Sequence, residues 1–101
     1  MAKKKIEIIW SEEASNNFLE ILEYLFSKSE SAVSIVGNSI LDEIEKLPQD
    51  PFIYPIDRFR KKKVSNYRAF IVYSYRISYY VSDTSIHILR VRHTSREPLE
   101  S

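Results

Sequence analysis

Three consecutive strand-like runs fill the last third of this chain and limit what it can fold into. They lie at roughly residues 68–73, 76–81 and 85–92, with turns near Ser74 and at residues 82–84. Because short turns join neighbouring antiparallel strands, the segment is predicted to form a three-stranded meander.

The side-chain period of two divides these runs between two faces. One face is predicted to pack under helices and to carry Ala69, Ile71, Tyr73, Ile77, Tyr79, Val81, Leu89 and Val91. The opposite face is predicted to carry Arg68, Phe70, Arg76, Ser78, Tyr80, Arg90 and Arg92. Four arginines and two aromatic residues would then share one open surface, although alternating arginines are also typical of an ordinary solvated sheet face.

Charge is divided unevenly along the chain. Residues 1–57 contain 5 Lys and Arg against 11 Asp and Glu, a net charge of −6, and residues 58–101 contain 10 against 3, a net charge of +7. The overall formal charge of +1 therefore conceals two halves of opposite sign. A basic face of this kind favours an anionic partner, and nucleic acid is the first candidate.

The first half of the chain predicts one strand and two amphipathic helices. Apolar residues alternate over residues 5–10, which indicates a short strand. Ser11 is a suitable N-cap for a helix that runs to about Ser27. A second helix is predicted from about Ser31 and must stop before Pro48. We expect the two helices to form a hairpin.

A basic, proline-rich segment follows the second helix. Residues 48–63 contain three prolines and five basic residues without clear periodicity, so they are predicted to form a loop that crosses the sheet edge. Its basic residues Arg60, Lys61, Lys62 and Lys63 are candidate contacts to a phosphate backbone.

Composition limits the chain to one small domain and argues against several classes. With 101 residues, of which 44% are hydrophobic, it can bury a single core. The absence of cysteine excludes disulfides and thiolate sites, and two histidines without a carboxylate cluster predict neither metal nor cofactor. Without an apolar run of about 18 residues or a signal peptide, the chain is expected to be cytoplasmic and free of the membrane.

The order of strand, helix hairpin, basic loop and meander resembles the RelE/ParE superfamily, the toxin halves of bacterial type II toxin–antitoxin pairs. The resemblance covers nearly the whole chain and rests on Trp10-Ser-Glu-Glu-Ala, Pro51 with Tyr54-Pro55, Tyr75-Arg-Ile-Ser-Tyr79 and Ile88-Leu-Arg-Val-Arg-His93-x-x-Arg96-Glu97. It implies a single α+β domain over residues 1–101, with the helix hairpin on one face of a largely antiparallel four-stranded sheet. It also implies a small cognate antitoxin.

The resemblance implies one of two mechanisms, because some members cut mRNA on the ribosome and others poison DNA gyrase without chemistry. In the ribonuclease branches a middle-strand arginine steadies the scissile phosphate, which matches Arg76, and a basic residue on the preceding strand matches Arg68. In some of these ribonucleases a histidine near the C-terminus acts as general acid or base, and His93 matches it. Substrate contacts are expected from Arg90, Arg92, Arg96 and Tyr80, together with Arg60, Lys61, Lys62 and Lys63.

Two positions depart from the ribonuclease pattern. Phe70 stands where those enzymes often carry a second basic residue, and Thr94 stands where one branch has a catalytic tyrosine. Ribosome-dependent mRNA cleavage is slightly preferred, DNA gyrase is the alternative target, and a toxin that retains only antitoxin binding is a third possibility. We expect an acidic antitoxin segment to fold onto the arginine face or the hairpin groove.

Overall fold

The structure, a computed structural model, describes residues 5–59 and 64–96. The helices are α1 (Glu12–Lys28) and α2 (Glu30–Glu45), and the strands are β1 (Glu7–Trp10), β2 (Tyr67–Val72), β3 (Tyr75–Val81) and β4 (Ser85–His93). Single 3-10 turns lie at Leu47–Gln49 and Thr94–Arg96. The predicted order of strand, helix hairpin, loop and meander is confirmed.

The four strands form one sheet in the order β1-β4-β3-β2. β1 runs parallel to β4, whereas β4 with β3 and β3 with β2 are antiparallel. Parallel neighbours cannot be joined by a tight turn, and here the helix hairpin, the loop and two strands separate β1 from β4 in sequence. The predicted α+β class, with helices on a largely antiparallel four-stranded sheet, is confirmed.

Two serines set the ends of the helices. Ser11 Oγ accepts the Ala14 N–H at 2.9 Å and donates to the Leu89 carbonyl at 3.0 Å, which fixes the start of α1 against β4. Ser29 caps both helices: its N–H donates to the last turn of α1, and its Oγ accepts the Ala32 N–H at 3.0 Å. One residue therefore ends α1 and begins α2, which makes the hairpin tight.

The core lies between the hairpin and one face of the sheet. Gly37 of α2 permits a close approach to α1, because a Cβ atom there would lie 3.1 Å from Leu22 Cδ2. Helices and strands both contribute to the core. Its most deeply buried residues are Ala14, Ile40, Ile44, Leu47, Ile77, Tyr79, Ile86, Ile88 and Val91. The predicted apolar stripes of the two helices thus face the sheet.

The prediction for the faces of β2 is wrong. Val72 pairs with Tyr75 across a two-residue turn, which places Phe70 opposite Ile77. Phe70 therefore faces the core and is 6% exposed, whereas Ile71 is 56% and Tyr73 is 61% exposed. Residues 69–72 are all apolar, so alternation could not decide between the faces, and the aromatic ring with the larger area to bury is inside.

The same register separates Arg68 from the other arginines, so the predicted surface of four arginines is also wrong. Arg68 pairs with the buried Tyr79 and lies on the helix side of the sheet. Arg76 pairs with Ile71 on one side and with Arg92 on the other, on the opposite face.

A bulge in β4 alters the predicted face of Leu89. Ser78 pairs with Arg90 but Tyr79 pairs with Ile88, which leaves Leu89 as the extra residue. Ile88 takes the core position that was predicted for Leu89. The bulge also presents the Leu89 carbonyl to the cap of α1.

Candidate functional site

Arg76, the middle-strand arginine, is held in a buried ion pair with Asp57. Its Nη2 lies 2.5 Å from Asp57 Oδ1, and the two side chains are 9% and 2% exposed. The Phe59 ring covers the guanidinium at 4.4 Å, and the Phe59 N–H donates to Asp57 Oδ1 at 3.0 Å. Because a charge this deeply buried needs its partner, Arg76 is fixed to the loop.

Asp57 reaches Arg76 because the loop after α2 follows the outer edge of β2. The Asp57 N–H donates to the Tyr67 carbonyl at 2.8 Å, and the Ala69 N–H donates to the Pro55 carbonyl at 3.2 Å. Ile56, between them, forms an isolated bridge with Arg68. The predicted crossing of the sheet edge is confirmed, and it protects much of an otherwise open edge strand.

Arg68 fastens the same loop from the helix side. Its Nε donates to the Ser65 carbonyl at 2.7 Å, and its Nη1 donates to the Tyr54 carbonyl at 2.9 Å. Nη1 also lies 3.5 Å from the Phe52 carbonyl, and the guanidinium stands 5.0 Å from the centre of the Phe52 ring. The cation predicted to assist catalysis is therefore bound to loop backbone.

Arg90 and Arg92 share one carboxylate from α1. Glu13 Oε2 lies 3.0 Å from Arg90 Nε and 3.3 Å from Arg92 Nη2. Within residues 5–59 and 64–96, Arg92 Nε is buried and has no hydrogen-bond partner. These pairs are half-exposed, unlike the pair at Arg76.

His93 lies in an open groove between α1 and the end of β4. The groove has a volume of about 600 Å³ and is lined by Asn17, Glu20, Ile21, Tyr24, Tyr75, Val91, Arg92, His93 and Ser95. The Ser95 N–H donates to His93 Nδ1 at 3.1 Å, so the neutral imidazole carries its proton on Nε2. The His93 ring stands edge-on to Tyr75 at 5.3 Å, and burial raises the pKa of Tyr75.

The remaining predicted site residues are dispersed. Tyr80 packs against Tyr67 and His87, with ring centres 4.8 and 6.2 Å away. His87, which strict alternation along β4 would place on the core face, lies opposite Tyr80 and is half-buried. The side chain of Arg96 lies outside the described part of the chain, as do Arg60, Lys61, Lys62 and Lys63 entirely.

Sequence reasoning did not predict that these arginines pair with Asp57 and Glu13. Glu13 lies 79 residues from Arg92 in the chain, and Asp57 lies 19 residues from Arg76. An acid in the first turn of a helix is already explained by the helix dipole, so Glu13 gave no separate signal. The contact of Asn17, whose Oδ1 accepts the Val91 N–H at 3.1 Å, was also missed.

The structure brings together only part of the predicted set of catalytic and substrate-binding residues. His93 and Arg92 line one groove at β4, whereas Arg68 lies on the edge strand β2, where it binds the loop, and Arg76 is buried. No group of three or more His, Asp or Glu residues that could hold a metal ion occurs in the described chain. Neither described helix is long and apolar enough to cross a membrane. The site therefore offers an imidazole and one arginine, not a convergent set of cations.

Comparison with known proteins gives one family match and several structural likenesses. A family model for the ParE toxin of the type II toxin–antitoxin system parDE matches residues 8–98. The fold is similar to the chromosomal ParDE system of P. aeruginosa, with a TM-score of 0.70, 18% identity, and coverage of 90% of this chain and 98% of that one. It is also similar to a YoeB/ParE toxin from Agrobacterium tumefaciens, with a TM-score of 0.59, 14% identity, and coverage of 87% and 98%. No curated protein sequence matches the chain.

Proposed function

Because the chain belongs to the ParE toxin family of type II toxin–antitoxin systems, we propose that it poisons DNA gyrase by binding and without chemistry of its own. One observation carries the choice of target: the arginines that a ribonuclease would need are engaged in internal contacts. Arg76 is paired with Asp57, Arg68 with loop carbonyls, and Arg92 with Glu13.

Metal-independent RNA cleavage needs a base, an acid and cations around one pentacoordinate phosphate. Arg68 and Arg76 lie on opposite faces of the sheet, so they cannot both contact one phosphate in this arrangement. Removing Asp57 from Arg76 to free its guanidinium would leave a buried carboxylate unpaired, which costs about 3–5 kcal/mol. A toxin that acts by surface contact needs none of these rearrangements.

mRNA cleavage on the ribosome is the second candidate, and the groove at His93 favours it. His93, Arg92 and Ser95 line the same groove, and His93 Nδ1 has a defined hydrogen-bond donor. A base and a cation are thus close together, as such a reaction would require. The two candidates differ in whether His93 transfers a proton, and this difference can be measured.

The test compares wild-type protein with His93→Gln in two assays. One assay measures supercoiling by purified gyrase and trapped cleaved DNA; the other maps mRNA ends by primer extension in a translating extract. We expect wild-type protein to inhibit gyrase and His93→Gln to inhibit it equally, since glutamine keeps a hydrogen-bonding group. Ribosome-dependent ends that decrease by about 10²- to 10⁴-fold in His93→Gln would instead establish proton transfer and reject the gyrase proposal.

A further inference from the structure

The loop after α2 displays an unusual density of exposed apolar side chains. Phe52, Ile53 and Ile56 are 47%, 61% and 40% exposed, and they lie within six consecutive residues. We refer to residues 51–56 as the apolar loop. Single exposed apolar residues are ordinary, but a contiguous group of them marks an interaction surface.

Hydrogen bonds to its backbone hold the apolar loop in place. The Tyr79 hydroxyl donates to the Pro51 carbonyl at 2.7 Å, and Arg68 Nη1 donates to the Tyr54 carbonyl at 2.9 Å. The Pro55 carbonyl accepts an N–H from β2 at 3.2 Å. A surface that is already ordered loses little conformational entropy on binding, which favours its use as a contact site.

The backbone of the apolar loop is unsuited to pairing with another strand. Pro51 and Pro55 have no N–H, and the carbonyls of Pro51, Tyr54 and Pro55 already accept hydrogen bonds. A partner must therefore engage Phe52, Ile53 and Ile56 through its own side chains. The apolar stripe of an amphipathic helix binds in this way.

The residues that follow the apolar loop in sequence indicate which charge the partner helix should carry. Residues 58–63, the next in sequence, contain five arginines and lysines among six residues, and residues 58–101 carry a net charge of +7. Arg68 stacks on Phe52 within the surface itself. A helix with acidic residues beside its apolar stripe is the complementary partner.

We propose that the apolar loop is the docking site for an acidic amphipathic helix of the cognate antitoxin. The family pairs each toxin with an antitoxin, so this partner covers the toxin whenever the toxin is neutralised. An apolar surface that is usually covered carries little risk of aggregation. The proposal rests on family membership and does not require gyrase to be the target.

The test uses a defined peptide and an isotope-labelled toxin. The peptide is a synthetic helix of about 18 residues, or about five turns, with leucine on one stripe and glutamate elsewhere. A matched peptide carries lysine in place of glutamate. We expect the acidic peptide to shift the amide resonances of Phe52, Ile53 and Ile56, and Ile53→Ser to weaken its binding by about tenfold or more. Leu19→Ser on α1, where Leu19 is 59% exposed, should bind as wild type.

Three peptide results would overturn the proposal: no shift in the apolar loop at about 1 mM peptide, equal binding by the lysine peptide, or equal binding by Ile53→Ser. The supercoiling assay supplies a fourth result that could overturn the proposal. Ile53→Ser should still inhibit gyrase as well as wild type, and loss of that inhibition would assign the apolar loop to the target instead. If the wild-type toxin itself did not inhibit gyrase, only gyrase as the target would be rejected. The peptide results would still decide the docking proposal.

Discussion

The arginines on one face of the sheet are neutralised by carboxylates in two different environments. Arg76 and Asp57 are almost fully enclosed, whereas Arg90 and Arg92 share Glu13 at a surface where the three side chains are 30–47% exposed. Both contacts join arginine to a carboxylate, and Arg76 and Arg92 are direct cross-strand neighbours. The main difference is how far each contact is enclosed.

This comparison shows why a row of arginines is not by itself a phosphate site. Coulomb attraction strengthens as the local dielectric falls, but so does the cost of leaving either charge unpaired. The enclosed pair therefore acts as a structural lock between the loop and β3. The exposed pairs are weak and can exchange partners at little cost.

The largest effect is expected from breaking the enclosed pair. Asp57→Ala leaves the Arg76 guanidinium buried without its carboxylate and should lower the free energy of unfolding by about 3–5 kcal/mol. Urea denaturation followed by circular dichroism measures the change. Asp50→Ala is the matched control, because Asp50 is an exposed aspartate at the start of the same loop region.

A loss of less than about 1 kcal/mol in Asp57→Ala, similar to that in Asp50→Ala, would contradict the lock. It would mean that Arg76 gains solvent or another partner without cost. Arg76 would then be available for phosphate contact, and RNA cleavage would have one of the cations that it needs.

The fold was predictable from local signals, and the site was not. Helical spacing, serine caps and turn residues are encoded within a few neighbouring positions, which is why both helices and all four strands were found. The face of β2 depended on a comparison between Phe70 and Ile71, which the uniformly apolar run could not provide.

The carboxylate partners of the arginines were harder still to predict from the sequence. Asp57 and Glu13 become partners only when the loop folds over the sheet edge and α1 docks beside β4. The bulge at Leu89 likewise arises from tertiary pairing and reverses the face of His87. Alternation identified which residues are polar, but it could not show which of them neutralise one another.

A smaller effect is expected at the exposed pairs. Glu13→Gln removes the carboxylate shared by Arg90 and Arg92 and should lower the free energy of unfolding by no more than about 1 kcal/mol. The difference from wild type should decrease as salt is added, because exposed charges are screened. Glu12→Gln, at the neighbouring exposed position in the same helix turn, is the control for helix-dipole effects. If Glu13→Gln lost more free energy of unfolding than Asp57→Ala, and lost it equally at all salt concentrations, the exposed pairs would be the stronger ones.

The smallest effect is expected at Glu43, whose partly exposed carboxylate tests the comparison at a third site. The Tyr54 hydroxyl donates to Glu43 Oε1 at 2.8 Å and lowers the pKa of Glu43 below its ordinary value of 4.5, with a further contribution from Lys46. A depressed folded-state pKa stabilises the protein above the unfolded-state pKa, and this stabilisation disappears as pH falls through the folded-state value. Tyr54→Phe keeps the ring stacked on Phe70, which is 4.5 Å away, and removes only the hydroxyl.

Tyr54→Phe should therefore be less stable than wild type by about 0.5 kcal/mol at neutral pH, and the two stabilities should converge in acid. Urea denaturation at a series of pH values measures this difference. Glu43→Gln should flatten the dependence in the same way, because the glutamine cannot ionise. If the difference between Tyr54→Phe and wild type stayed constant from neutral pH into acid, the hydroxyl would not act through the charge of Glu43. The gradient from enclosed to exposed ionic contacts would then rest on Asp57 and Glu13 alone.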